Sequence, residues 1–508
     1  MNLKTIMTGR KLFLAIALWL TCLTHATTIN LPTTIWNKCR NGADSLSALA
    51  EFHKRYVNKD VTIVYPRNHV VHLSITEKAQ TIGLSKQTDF NGCTFVVDNR
   101  SKNHYLFAIV YPETTAKPIE ISKKDIDKGD FSKLPVFQNN RCLLLIKDRN
   151  PWVKNRKGYN YGATRSDILL IEDGKALNQA TTLYDTPSSN PECKFLETDL
   201  TEKKFANLTF IRSARSTAIT NLMLVKFQNN VSIENVSIET PPLTKKQPHE
   251  GDYCFNVQNC TNITFHDVTI DGTYSDYNKY GYAISLDNVW NSFFIRLKAK
   301  AQWGIFGNYN LNTASLEDCD INRFDIHCYG RDITFKNCTF RNTLNDTNTY
   351  NQFSSVFGTI LFEGCRFERF CPVLQEPSFN AYTGYDLLMN NCYMEADERH
   401  NCIIQAGMLE AETNSRPELK EKCWPNVSIN GLTLKTNDVS DFYIFNPMAG
   451  NTYKGKIGHL SNISINGLQL IPANSTINII ESSLKISTRK RMKRNYTLPN
   501  RIKIQKRL

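Results

Sequence analysis

Nine segments of the chain share one grammar, and no other feature of the sequence restricts the fold as tightly. Each runs as an apolar-x-apolar pair, one further residue, then Asn, Asp or Gly, then Cys, Val or Leu, one residue, and a closing apolar residue. They read VSIENVSI from Val231, ITFHDVTI from Ile263, ASLEDCDI from Ala314, ITFKNCTF from Ile333, ILFEGCRF from Ile360, LLMNNCYM from Leu387, VSINGLTL from Val427 and ISINGLQL from Ile463. A degenerate copy, FFIRLKAK from Phe293, fills the widest gap. Each copy is two short strands of period-two alternation, broken where Asn, Asp or Gly lets the chain turn with positive φ. The bends fall 19 residues apart from Asp318 to Asn337, and 27 apart from Asn337 to Gly364 and from Gly364 to Asn391. Such lengths suit one coil of three short strands, and the helix-period stripe of helical or leucine-rich repeats is absent. The expected fold is therefore all-β: a right-handed parallel β-helix, with coils stacked in register about 4.8 Å apart.

Stacking turns shared letters into vertical files. Asn235, Asp267, Asp318, Asn337 and Asn391 should form a column at the bend, their side chains bonding from coil to coil. Cys319, Cys338, Cys365 and Cys392 should form an inward column of buried free thiols, because in-register spacing exceeds the Cβ separation that a disulfide prefers. Sequons such as those at Asn235 and Asn337 then read as repeat grammar rather than glycan sites. Cys254 with Cys260, Cys39 with Cys93, and Cys402 with Cys423 are candidate disulfides that spacing alone does not assign.

The ends differ from the middle. Lys4, Arg10 and Lys11 precede an apolar run from Leu12 to Leu23 and small residues around Ala26, which is the pattern of a cleaved secretion signal. Export to the periplasm, cell surface or medium is expected, with no transmembrane segment. The formal charge of +13 is not spread over the body: the leader carries three charges, and Lys485 to Leu508 holds ten Lys and Arg with no acid. A neutral body gives no reason to expect a nucleic-acid partner, and the tail reads as a solvated appendage whose deletion leaves folding intact. The divisions are a signal at 1–26, a cap and first coils at 27–100, early coils with an insertion at 101–204, the β-helix at 205–475 and the tail at 476–508. The insertion lies between Asn150 and Asp185 and contains Trp152, Arg156, Tyr159, Tyr161 and Arg165. Gly42 to Ala50 reads as a capping helix, with Asp44 or Ser45 at its N-cap.

An Asp-led helix, the strand Val61 to Pro66 and an apolar coil at Phe90 to Phe95 together resemble the pectate-lyase-like superfamily of β-helix proteins, over roughly Ala43 to Leu470. Pro66 is followed by Arg67-Asn68-His69 in place of that family's Pro-Gly-Thr-Tyr turn. The chain also lacks Asn-Thr-Asp and Gly-His-Gly signatures and a clear acidic calcium cluster. The resemblance implies a carbohydrate-facing scaffold with a groove on the outer face of one sheet, and leaves the reaction open.

The strands between repeat copies would line that groove. With Ile326 and Cys328 inward, alternation sends Asp325, His327 and Tyr329 outward, and Ile284 and Leu286 inward put Ser285 and Asp287 outward. Asp287 and Asp325, two coils apart, would be about 9–10 Å from one another, which suits an inverting acid/base pair. Alternatively, His327 or Tyr329 could take a proton α to a uronate carboxylate while Arg323 or Arg331 neutralises that carboxylate, as in a lyase. Trp303, Tyr282, Phe306, Phe357, Tyr274 and Tyr277 could stack on sugar rings, and Glu376 is a third carboxylate near the groove. The bland alternatives are an Asp325 ion pair on a solvated face and aromatics that pack loops. The expected partner is thus a polysaccharide, with no cofactor or metal. A non-catalytic glycan-binding β-helix is the competing class, and a virus-like spike fits the fold but not the leader.

Overall fold

The structure is a computed structural model that describes residues 27–41, 45–75, 80–102, 104–111, 115–138, 140–150, 164–180, 184–198, 201–240, 254–272, 282–300, 304–341, 349–353, 356–375, 384–406, 425–437, 439–447, 462–482, 494–498 and 502–505. Thirty-one strands join into one sheet system. Asn229–Thr240 pairs in parallel with Phe255–Gly272, which pairs with Tyr282–Ile295, then Gly304–Glu317, Phe324–Lys336 and Val356–Glu363 in turn. Each strand therefore bonds to its counterpart one coil on, which is the right-handed parallel β-helix.

The first letters of the repeat copies lie directly over one another. Val231, Ile263, Ser292, Ala314, Ile333, Ile360, Leu387, Val427 and Ile463 pair in an unbroken register. The degenerate copy thus begins at Ser292, one residue before the position its apolar letters suggest. The thiol file is equally regular: the amides of Thr339, Arg366 and Tyr393 donate to the carbonyls of Cys319, Cys338 and Cys365, each at 2.8 Å. All four thiols are buried and free. Burial pushes Cys392 up to about 12, so this file behaves as small apolar side chains.

The bend column is real and has two companions. Asn235, Asp267, Asp318, Asn337 and Asn391 have φ between 51° and 55°. A second file of positive φ holds Asn230, Asn262, Asn291, Thr313 and Asp332, and a third holds Phe227, Asn259, Asn288, Asn310 and Tyr329. Side-chain amides bond along them: Asn235 donates to Asn207 at 2.8 Å, Asn291 to Asn262 at 2.5 Å, and Asn288 to Asn259 at 2.7 Å. The Asn235 side chain is therefore engaged within the ladder, as its place in the repeat implies.

Inside, phenyl rings stack from coil to coil. Phe265 lies 5.0 Å from Phe294, Phe294 4.8 Å from Phe306, and Phe306 4.8 Å from Phe324, centroid to centroid. Two helices, Thr33–Asn41 and Ser45–Lys54, close the first coil, where the sequence suggests one. Asp44 lies outside the described residues, and the Ser45 hydroxyl donates to the His72 carbonyl at 2.9 Å. His53 on the second helix is wholly buried against the Tyr65 hydroxyl at 2.7 Å, and burial lowers its pKa from the usual 6.5 to about 3. A folded value below the unfolded one means that the unfolded chain binds the proton more tightly. The contribution of His53 to stability is therefore complete above pH 6.5 and declines as pH falls towards 3. Thermal melts of His53→Gln against wild type should show a shallower acid loss over that window; parallel curves would show that the cap does not titrate.

Two expectations change. The insertion is larger than Asn150 to Asp185: Lys117–Ile119, Arg141–Asp148, Ser166–Glu172, Lys175–Ala176 and Pro191–Glu197 form a five-stranded antiparallel sheet with its own core around Phe137, Leu144 and Leu169. The β-helix resumes where Lys203–Arg212 stacks on Gln87–Asn99. The basic tail is not an appendage, because Arg494–Thr497 pairs with Ile463–Asn466, and Ile502–Gln505 with Ile477–Ser482. Tyr496, Leu498 and Ile502 pack on the main core. Deleting residues 494–508 should therefore lower the melting temperature, with Ile502 alone accounting for about 2 kcal/mol; an unchanged melt would restore the appendage reading. Cys39, Cys93, Cys254, Cys260 and Cys402 are free and buried, so the candidate pairs among them are not formed. Cys423 lies outside the described residues.

Candidate functional site

The site is built on three consecutive coils, from the strands Tyr282–Ile295, Gly304–Glu317 and Phe324–Lys336. Tyr282 opens the first and lays its ring across the second. A Cβ placed on Gly307 would stand 2.6 Å from that ring, and one on Gly304 would stand 2.9 Å away. Glycine in a strand interior weakens the strand, and here it makes the floor on which the phenol lies. Gly307→Ala should displace Tyr282 and cost about 1–3 kcal/mol by overpacking. The same substitution should be nearly silent in a Tyr282→Ala background, as thermal unfolding of the four proteins would show.

Across that floor the phenol reaches the third strand. The Tyr282 hydroxyl donates to Asp325 Oδ2 at 2.6 Å and lies 2.9 Å from His327 Nε2. An ionised carboxylate only accepts, so the phenol proton points to Asp325 and the Tyr282 oxygen accepts from His327 Nε2–H. Asp325 is completely buried. Its Oδ1 accepts from Arg323 Nε at 2.7 Å and from the Gln352 amide at 3.2 Å. Arg323 is buried too, donates to Gln352 Oε1 at 2.8 Å, and lies over the Tyr350 ring at 4.6 Å. Burial opposes its charge, but Asp325, Tyr282 and Tyr350 together outweigh burial and hold the guanidinium protonated above its ordinary range.

His327 takes its position from a break in the register. Asn308 pairs with Ile326 and Tyr309 with Cys328, so His327 is the extra residue of a bulge. The bulge sets the imidazole between two rings, 5.5 Å edge-on from Tyr282 and 5.2 Å stacked on Tyr309. Tyr309 is 40% exposed, a flat aromatic face beside the cluster. Tyr309, Gln352, Tyr350 and the two glycines were not singled out in the sequence. The signal for the glycines is present in Gly304-Ile305-Phe306-Gly307, two glycines within the first four residues of the strand.

Several expected roles do not fit where the residues lie. Asp325 faces the outer side but is sealed by Tyr282, Arg323 and Gln352, so it has no solvated face. Tyr329 does not follow His327 outward: the bulge shifts it into the third positive-φ file at 56°, where it is buried. A bulky side chain in that region stores backbone strain. Phe306 pairs with Ile284, which points inward, and so joins the core stack instead of a sugar platform. Arg323 is spent on Asp325, and Arg331 donates to Asp332 at 3.0 Å and to the Ala180 carbonyl at 3.4 Å. Neither is placed to neutralise a substrate carboxylate. Asp287 pairs with Tyr309 and belongs to the next file over; Asp325 stacks through Gly307 on Ser285. Asp287 therefore faces the antiparallel insert, where burial raises its pKa against the opposing effects of Asn310, Lys147 and Lys226. Trp303, Glu376, Tyr274, Tyr277, Trp152, Arg156, Tyr159 and Tyr161 lie outside the described residues. Arg165 is buried within the insert and pairs with Asp167 at 3.0 Å, away from the groove. Among the described residues, no group of three metal-ligating side chains could hold an ion, and no helix is long and apolar enough to cross a membrane.

Coil-by-coil pairing defines a right-handed parallel β-helix, with the cluster on its outer face. The tailspike Gp54 of Acinetobacter baumannii bacteriophage AP22, solved in complex with A. baumannii capsular saccharide, matches with a TM-score of 0.50 at 11% identity, over 94% of this chain and 79% of that one. Tailspike gp49 of Pseudomonas phage LKA1 matches at 0.47 and 10% identity, over 87% and 76% of the two chains. A family 28 exopolygalacturonase of Yersinia enterocolitica matches at 0.34 and 9%, over 93% and 78%. At such identities the likeness is one of fold. No protein-family model matches the sequence, and no curated relative matches it.

Proposed function

We propose that this chain is an exported carbohydrate-active protein that cleaves a polysaccharide by elimination on the outer face of the Tyr282, Gly304 and Phe324 strands. The observation that carries the reading is the phenol of Tyr282 held between a buried carboxylate and an imidazole, at 2.6 and 2.9 Å. Proton transfer from carbon to base and from acid to the leaving oxygen needs two such groups side by side. Tyr282 is the base, its oxygen taking the carbon-bound proton as its own passes to Asp325, and His327 in its imidazolium form is the acid that protonates the leaving oxygen as the carbon–oxygen bond breaks; Asp325 and Arg323 hold Tyr282 without touching substrate. Tyr309 offers its exposed ring to a sugar. Hydrolysis by paired carboxylates is disfavoured, because Asp325 is sealed and Asp287 belongs to another file. A fold relative solved with capsular saccharide supports a saccharide ligand for this architecture. The basic and apolar leader supports the export part of the reading.

The test incubates the intact protein with a panel of acidic and neutral polysaccharides and follows ultraviolet-absorbing unsaturated ends. Cleavage that is lost in His327→Ala, with glycan binding retained, supports the reading. Saturated products would select hydrolysis. Binding without product from any glycan would leave a recognition protein, a reading favoured by the full burial of both charged members of the cluster.

A further inference from the structure

The antiparallel insert and the β-helix meet across a cleft of about 360 Å³, within the range of small-ligand sites. Its insert wall carries Lys147, Glu192 and Lys194, and its β-helix wall carries Asn259, Asp287 and Asn288. Pairing of Lys147 with Glu192 and of Leu145 with Lys194 puts both ammonium groups on one face of two neighbouring strands. Among the described residues neither lysine makes an ion pair, whereas Glu192 is held by Arg149 at 2.9 Å. Two cations therefore face one remaining carboxylate, that of Asp287, and the cleft is electropositive on the insert side.

The opposite wall has the reverse polarity. Asn288 is 4% exposed and donates to Asn259 at 2.7 Å, while its own buried Oδ1 accepts no hydrogen bond among the described residues. Beside it stands the half-buried Asp287 carboxylate. On this wall Asn288 Oδ1 is an acceptor in want of a donor, which a sugar hydroxyl supplies, and the Asp287 carboxylate, already bonded by Asn310, keeps lone pairs for another. Asp287 also pairs in register with Tyr309, whose ring stacks on His327, so the cleft opens about one strand spacing from the cluster.

We infer that this cleft is a subsite for an acidic sugar residue, its carboxylate held by Lys147 and Lys194 and its hydroxyls by Asp287 and Asn288. The inference rests on the glycan-cleaving reading and adds the substrate class. Binding is measured by calorimetry on the full chain carrying Tyr282→Phe, so that probes are not turned over. The probes are galacturonate- and glucuronate-containing tetrasaccharides and their carboxyl-reduced counterparts, which differ only in charge. At least one acidic probe should bind about tenfold or more tightly than its reduced form. Lys147→Ala with Lys194→Ala should abolish that preference while leaving the melting temperature unchanged. Equal binding of each pair, no binding of either acidic probe, or a preference that survives the double substitution would overturn the subsite. Failure of the cleavage reading looks different: the acidic preference would stand while the intact protein releases no product from any glycan.

Discussion

Replacing Arg323 with alanine is expected to lower the unfolding free energy by about 3–5 kcal/mol, because a buried carboxylate then loses its counter-charge. Asp325 has no exposed surface through which water could take over. Its other partners, the Tyr282 hydroxyl and the Gln352 amide, are neutral donors. The guanidinium also satisfies Gln352 and covers Tyr350, so packing is lost with the charge. Removing both charges as Arg323→Met with Asp325→Leu should recover part of the loss, since the apolar pair leaves no ion uncompensated. Denaturant unfolding of wild type, single and double variants would measure this, and a single variant within about 1 kcal/mol of wild type would mean that Asp325 reaches solvent.

Tyr282→Phe is expected to reduce cleavage by about 10²–10⁴-fold, the range for loss of a positioned proton-transfer group. Phenylalanine keeps the ring that lies on Gly304 and Gly307, so the fold should lose about 1–3 kcal/mol, the cost of leaving Asp325 Oδ2 without its donor. That separation of activity from stability makes the variant informative. If the effect is confined to KM, Tyr282 binds sugar without moving a proton. If cleavage is unchanged, the chemistry lies elsewhere on the sheet.

The architecture was legible because its strongest constraints are local letters repeated at a distance. Cys319, Cys338, Cys365 and Cys392 could be aligned from spacing alone, and the bends at Asn235, Asp267 and Asn337 announced their backbone geometry through residue type. The site was only half legible. Strict alternation put His327 and Tyr329 on one side together, but the bulge at His327 sends Tyr329 into a buried left-handed bend, and no single-strand pattern encodes an extra residue. Pairing of Asp325 with Arg323 was open to view in the sequence, but its second partner was hidden, because Tyr282 reaches it over a glycine floor from two coils away. The full extent of the insert escaped notice for a different reason: RCLLLIKD and SDILLIE are apolar strands without the repeat grammar, and they pair antiparallel in a sheet of their own. The tail misled because its lysines and arginines obscured an Ile502-x-Ile504 alternation that fits a final rung.

The three files of left-handed residues keep a fixed metre: positions 259, 262 and 267 recur as 288, 291 and 296, as 310, 313 and 318, and as 329, 332 and 337. Across these four coils the variation in coil length is thus confined to the opposite half of each turn. The molecule resembles a ledger with a bound spine and loose fore-edges, in which a page can be widened without disturbing the stitching. His327 and Tyr282 sit just where spine meets fore-edge, so the neighbouring loops are free to be exchanged, and a new sugar accommodated, at no expense to the register that holds the chemistry in place.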